Sequence, residues 1–529
     1  MKLSVGITKL TPGWITLLGQ IGIPYIEINS IENININDFA VVVISSASLT
    51  KKEKKILYDY TAEGGSVICE AENARAVYKI NLKLSYIKFL YSESDKLFNN
   101  YLVCDLYNHC KIPANSNHFD DQEKTKSVLT MSIGKGNLAV FPEGFTSLIH
   151  RSRTIRKNFY PEFSNQFTSE RVSIVSKGII RTHIQKALEY LFHKRDLPFV
   201  HLWFYPDGAR NIFSFRIDTD MGTEEEIISL NNLLQDYNIP ATWFVETKSS
   251  QDRIESFLNL KNQEIAYHCY RHKAFLSYKK NEEDIKTGLK ILEGIGINPK
   301  GYAAPYGKWN KTIARLIDDF NFSYSSEFDF AYDTLPIYPF YNSSFSKALQ
   351  IPIHPVSVGR LHWGGHSEEN MIKYFFSIIE QKLFLDEPII FYTHPFEKKL
   401  NVFAKVFEKI HSYNSENYIS NNSLTEKIST LSFSEYTEWW KKRLDVKWNS
   451  EEKDEDIFIS ANNSDESIKF MATYPSGKRF ILSANQEKKI KVEKKKDKIQ
   501  LYVNPYKLRK KTFQMIKYDI LGVLRKLKL

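Results

Sequence analysis

The chain has 529 residues, 42% hydrophobic and 25% charged, with a formal net charge of +10. That length exceeds one ordinary core and the balance is globular, which excludes a disordered or fibrous chain and predicts about two to four domains. Four scattered cysteines exclude a disulfide framework, and no stretch is long and apolar enough to span a bilayer. The amino terminus lacks an apolar signal core and a small-residue cleavage site, so the expected compartment is reducing and cytoplasmic. The positive charge gathers late, at Lys488-Lys489, Lys494-Lys495-Lys496 and Arg509-Lys510-Lys511. Such runs are solvated faces, and with no motif beside them no nucleic-acid partner is expected.

Residues 1–195 predict a Rossmann- or flavodoxin-like α/β domain. Segments 2–7, 25–28, 40–45, 66–70 and 137–141 read as strands, and Thr50 caps a helix that Gly64-Gly65 ends. The pattern from Val-Val-Val-Ile-Ser-Ser to Gly-Gly-Ser-Val-Ile-Cys resembles the class I glutamine-amidotransferase-like fold. Cys69 has no flanking glycines to form a nucleophile elbow, so it reads as a buried structural thiol in a non-catalytic module. A connecting helix follows over 172–193, and Pro206-Asp-Gly208 marks a boundary turn.

From residue 206 to 412 strand-like and helix-like segments alternate regularly, which predicts a parallel sheet closed or nearly closed as a barrel. A polar linker is expected over 414–423, then a small all-β domain over 440–505. The tail 506–529 places Phe513, Ile516, Ile520, Val523, Leu524 and Leu527 on one face among Lys and Arg. That face suits an anionic membrane surface or packing on the protein itself.

Three clusters fall at the carboxyl ends of barrel strands, where barrels keep their chemistry. Asp218 and Asp220, two apart, lie on one face of an extended strand. His268 and His272 can meet one metal through neutral nitrogens, and Cys269 between them excludes the metalloprotease helix signature. His394 ends the apolar run Ile-Ile-Phe-Tyr-Thr. Two carboxylates beside a dihistidine divide labour, Asp220 as ligand and Asp218 as base toward a water of lowered pKa.

These motifs resemble the polysaccharide deacetylase family (the NodB-homology domain, carbohydrate esterase family 4) over about residues 211–400. The resemblance implies a distorted, incomplete (β/α) barrel that hydrolyses N- or O-acyl groups of sugars with an Asp-His-His metal. Phe-Arg-Ile-Asp218-Thr-Asp220 is similar to a spaced variant of the first motif, with Asp220 the ligand. His268 and His272 match the second, with Cys269 at its Ser/Thr position. The third appears as Ala303-Ala304-Pro305-Tyr306-Gly307, where Pro305 and Tyr306 stand by the developing oxyanion and Ala303 replaces the usual arginine. Loss of that cation raises the pKa of Asp218 unless Arg216, Arg271 or Arg360 substitutes. Ile389–His394 matches the fifth motif and makes His394 the general acid. Asp329, Asp333 and Trp363 are candidates for the fourth, His354 is a candidate for lining the pocket, and His362-Trp-Gly-Gly-His366 for a substrate loop.

The implied cofactor is a divalent metal, Zn2+ by donor type, with Co2+ or Ni2+ as alternatives. The expected substrate is a cytoplasmic or lipid-linked saccharide intermediate, with the tail holding the protein at the inner membrane face. The rival expectations are a non-catalytic saccharide-binding or scaffold protein on a degenerate barrel, and a deacylase of a non-sugar amide.

Overall fold

The computed structural model describes residues 1–90, 103–114, 124–125, 128–159, 168–397, 399–414, 425–453, 456–462, 465–483, 490–492, 513, 516–517 and 520. The amino-terminal unit is built on a six-stranded sheet in the order Tyr25–Glu27, Val5–Ile7, Val41–Ile44, Ser66–Glu70, Gly136–Phe141, Leu129–Ile133. The first five strands are parallel and the last is antiparallel. Because side chains alternate along a strand, one run of β-branched residues feeds two cores. Val41 and Val43 join Leu18 and Ile184 on one face, while Val42 and Ile44 join Leu57 and Val77 on the other. Thr50 and Glu53 form a full capping box on helix Lys51–Ala62. Cys69 is buried in a central strand, and burial pushes its thiol well above the usual range, as suits a structural residue.

The second unit is an eight-stranded parallel sheet. Its main path runs Leu349–Gln350, Tyr324–Ser325, Gly301–Tyr302, Glu264–Cys269, Ala241–Glu246, Ala209–Asp218, Ile389–Thr393. Thr425–Thr430 adds to the first half of Ala209–Asp218. The sheet curls until its edges meet at one backbone hydrogen bond, His354 N–H to Ile390 O at 3.0 Å, so the barrel is distorted rather than fully laddered. Phe213, Phe215 and Ile217 face outward to Leu230, Phe403 and Phe407. Ile212 faces inward with Phe244, Ala266, Ala303, Tyr324, Ile390 and Tyr392. Ser214, Arg216 and Asp218 share the inward parity of Ile212, which delivers the first cluster to the mouth of the barrel.

The chain beyond the barrel does not stand apart from it. Helix Phe433–Asp445, with a capping box at Ser432, contributes Phe433, Tyr436, Trp439 and Trp440 to the inner core. Its buried Arg443 donates to the carbonyls of Trp203 at 2.7 Å, Leu202 at 3.0 Å and Gln20 at 3.1 Å. The expected boundary at residue 440 therefore falls inside a helix. The antiparallel sheet of Phe470–Thr473, Arg479–Leu482 and Ile490–Val492 takes its edge strand, Phe199–Leu202, from between the two expected domains 1–195 and 206–412.

Of the tail 506–529, Phe513, Ile516 and Ile520 are helical and exposed. Val523, Leu524 and Leu527 lie outside the described residues, as do the basic runs at 488–489, 494–496 and 509–511 and residues 415–423. No helix among the described residues is long and apolar enough to cross a membrane.

Candidate metal centre and its surroundings

Strand Ala209–Asp218 carries Asp218 at its last position and Asp220 just beyond, and strand Glu264–Cys269 carries His268 with His272 in the following loop. The structure brings these together. His268 Nε2 lies 3.7 Å from Asp220 Oδ1 and His272 Nε2 lies 3.8 Å from Asp220 Oδ2. His394 Nε2 enters the same space, 3.9 Å from Asp220 Oδ1. One ligand atom from each of Asp220, His268 and His272 falls within 4.8 Å of the others.

Second partners set the direction of each ring. His268 Nδ1–H donates to Ala303 O at 2.6 Å, which leaves Nε2 as a lone pair. Asp220 Oδ1 and His268 Nε2 are buried and have no hydrogen-bond partner among the described residues. Buried polar atoms are nearly always satisfied, so two orphans aimed at one point, with a third donor beside them, fit a divalent metal. Burial lowers the His272 imidazole to about 4, which favours the neutral ring a ligand needs. Tyr306 lies against His272 with ring centroids 4.5 Å apart and planes tilted by 60°, and its hydroxyl donates to His272 O at 3.3 Å. Pro305 opens the turn Pro305–Gly307, in which Tyr306 takes a left-handed φ of 61°.

The cation missing from Ala303 is supplied by Arg216. Its Nε and Nη2 donate to the two oxygens of Asp218 at 2.6 and 2.8 Å, and Nη1 donates to Ser326 O at 2.6 Å. Burial alone would raise this carboxyl, but the guanidinium and the nearby imidazoles hold it down at about 2. The other candidates are engaged elsewhere, Arg271 with Asp284 at 3.1 Å and Arg360 with Glu170 at 2.5 Å. The signal was available in the sequence, since residues two apart on a strand share a face.

The acidic partner of His394 is Glu397, which the sequence reading missed. His394 Nδ1–H donates to Glu397 Oε1 at 2.9 Å, and Ser357 and Thr393 hydroxyls donate to the same carboxylate at 2.9 Å each. Although burial opposes it, Glu397 raises the imidazole to about 9. Glu327 was missed as well. This buried carboxyl accepts from Ala304 N–H at 3.1 Å under the Pro305 turn, and burial pushes it up to about 7.

The carboxylate on His394 Nδ1 is thus Glu397 and not Asp329 or Asp333. Asp333 sits in a buried charged group with Glu387, Lys157, Lys382 and Lys177, and Trp363 is 71% exposed. His354 is buried and bonded to Tyr374 Oη at 2.9 Å, and His366 to Thr168 Oγ1 at 3.3 Å. His362 is exposed on a short helix.

Fold and site together define a distorted (β/α) barrel whose carboxyl edge gathers carboxylates and imidazoles around one point. Residues 216–325 match the family model described as polysaccharide deacetylase. Among solved structures, the chain is similar to a Mycobacterium smegmatis protein assigned to the polysaccharide deacetylases, at 18% identity and a TM-score of 0.36, covering 45% of this chain and 93% of that one. A family 4 carbohydrate esterase from Streptomyces lividans, in complex with acetate, matches at 15% identity and a TM-score of 0.28, over 39% of this chain and 90% of its own. A family 4 pseudoenzyme from Bacillus anthracis matches at 14% identity and a TM-score of 0.30, over 43% and 65%. No curated protein matches the sequence.

Proposed function

We propose that this chain is a metal-dependent hydrolase that removes an N-acyl group, acetyl in the simplest case, from a sugar in a saccharide or lipid-linked saccharide intermediate. The observation that carries the reading is the convergence of Asp220, His268, His272 and His394 on one point beside an arginine-anchored Asp218. Asp220, His268 and His272 would hold the metal, and one carboxylate with two imidazoles suits Zn2+, with Co2+ or Ni2+ as alternatives. When bound, such an ion polarises the acyl oxygen and lowers the pKa of water.

The chain's own groups do the rest. Asp218 takes the proton of the attacking water. Arg216 occupies one lone pair on each carboxylate oxygen and leaves the others for that proton. A backbone donor of the Pro305–Gly307 turn, beside Tyr306, steadies the tetrahedral oxyanion. His394, held through Nδ1 by Glu397, gives its Nε2 proton to the departing nitrogen as the C–N bond breaks. The products are the carboxylate and the free amino sugar.

Chelator-stripped and zinc-reloaded protein assayed against N-acetylated sugars and lipid-linked oligosaccharides tests this reading. Acetate release that tracks bound zinc is expected; protein that takes up no metal would overturn it. Asp218→Asn should abolish release with metal content unchanged, and full activity in that variant would overturn the base assignment. We further propose an anionic membrane as partner of the tail, where Phe513, Ile516 and Ile520 are exposed. Liposome flotation with and without residues 506–529 decides that point, and equal binding by both forms counts against it.

A further inference from the structure

The antiparallel hairpin Thr154–Phe159 and Thr168–Ser173 precedes the barrel by some forty residues yet packs on it. Ser173 N–H donates to Phe328 O at 3.2 Å, and Lys157 Nζ donates to Tyr332 Oη at 3.1 Å. Phe159 meets Tyr332 and His354 edge-on, with centroids 5.8 and 6.0 Å apart.

Two further contacts grip the short helix Val358–Trp363. Within it, Arg360 Nη2 lies 2.5 Å from Oε2 of Glu170, which is 7% exposed. Just past its end, Thr168 Oγ1 bonds His366 Nε2 at 3.3 Å, and Gly364 fits so closely that a Cβ there would lie 2.7 Å from Thr168 Oγ1. The same helix supports the general acid. Its cap Ser357 donates to Glu397 Oε1 at 2.9 Å, Gly359 packs on Glu397 so closely that a Cβ there would collide with Oε1, and Glu397 Oε1 accepts from His394 Nδ1 at 2.9 Å. A helix of six residues has too few internal bonds to hold its own place, so what grips it sets where its first turn sits.

We infer that Glu170, acting through Arg360, is a positioning residue for deacylation, and that the hairpin ahead of the barrel is part of the catalytic unit. The chain of contact runs from Glu170 to Arg360, through the first turn at Ser357 and Gly359, to Glu397 and so to His394. It rests on the reading of His394 as general acid.

The test uses full-length, zinc-loaded Glu170→Gln and Arg360→Gln with two substrates. An N-acetylated chito-oligosaccharide needs its leaving nitrogen protonated, whereas 4-nitrophenyl acetate does not. The expected result is an about tenfold fall in kcat on the sugar amide, with KM and the ester rate held within about twofold. Hydrogen exchange across residues 357–366 should rise several-fold in both variants, and Glu170→Asp should recover part of both effects. Equal losses on amide and ester, or unchanged exchange, would overturn the proposal. If the wild type releases acetate from neither substrate, the deacetylase reading fails. Exchange then judges the brace alone, and unchanged protection in Glu170→Gln still sinks it.

Discussion

Asp218 is the residue whose state depends most on its neighbours. It is 5% exposed, and an ionised carboxylate at that depth requires a partner. Arg216 supplies two parallel hydrogen bonds from the adjacent inward position, so Asp218 has a cationic partner despite Ala303. Arg216→Ala should cost about 3–5 kcal/mol in chemical unfolding, because it leaves a buried charge unpaired. Arg216→Lys keeps the charge but not the fork, and should retain more stability than activity. The second residue-scale expectation concerns Glu397. Glu397→Gln removes the charged acceptor on His394 Nδ1 and should lower kcat on a sugar amide about 100-fold, with metal content by atomic absorption unchanged. Strand parity puts Arg216 on the face of Asp218, yet the sequence left Arg271 and Arg360 open beside it. Glu397 was harder to read: it follows His394 by only three residues, but the Pro395–Glu397 turn folds its carboxylate back onto the ring.

Elements show the same division between pattern and placement. The alternation of Val41 to Ile44 and of Ile212 to Asp218 specifies strands with two faces, and the capping boxes at Thr50, Thr223 and Ser432 specify where helices start. What a helix docks against is another matter, and two glycines make the point. A Cβ at Gly178, in the first turn of Lys177–His193, would lie 1.5 Å from the Asp333 carbonyl oxygen and 2.3 Å from Glu387 Oε1. At Gly19, inside Pro12–Ile21, the nearest atom would be 3.8 Å away. Gly178→Ala should therefore destabilise by about 1–3 kcal/mol or more through overpacking. Gly19→Ala should stabilise by about 0.5–1 kcal/mol by removing backbone freedom from a helix. Denaturant midpoints at constant m-value read both. Sequence periodicity does not separate the two glycines, since each sits in a helical pattern and only the opposing surface differs.

At the scale of the molecule, distant stretches are tied through buried polar contacts, and these set its response to acid. Burial lowers His201, packed on Phe199 and Phe204 with its Nδ1–H donated to Leu202 O at 2.9 Å, from the ordinary 6.5 to about 3. Burial lowers His150 in the same way to about 4. Both folded-state values are depressed, so the unfolded chain binds more protons between them and 6.5. Their stabilisation is full above pH 6.5 and is lost as pH falls, at about 1.4 kcal/mol per pH unit for each group within its window. Thermal unfolding should show a falling midpoint from pH 6.5 toward 4, and His201→Phe should flatten that slope; an unchanged slope would remove His201 as its source.

The sequence by itself determined the barrel, its strands and the residues at their carboxyl ends, because period-2 alternation and strand-end chemistry are local properties. Asp218, Asp220, His268, His272 and His394 were all readable on that basis. Tertiary structure alone decided which charges meet. It put Glu397 on His394, Glu327 under Ala304, the strand Phe199–Leu202 beside Phe470–Thr473, and the hairpin of Glu170 against Arg360. Those pairings depend on how surfaces far apart in the chain close on one another, and no periodicity within a segment encodes that.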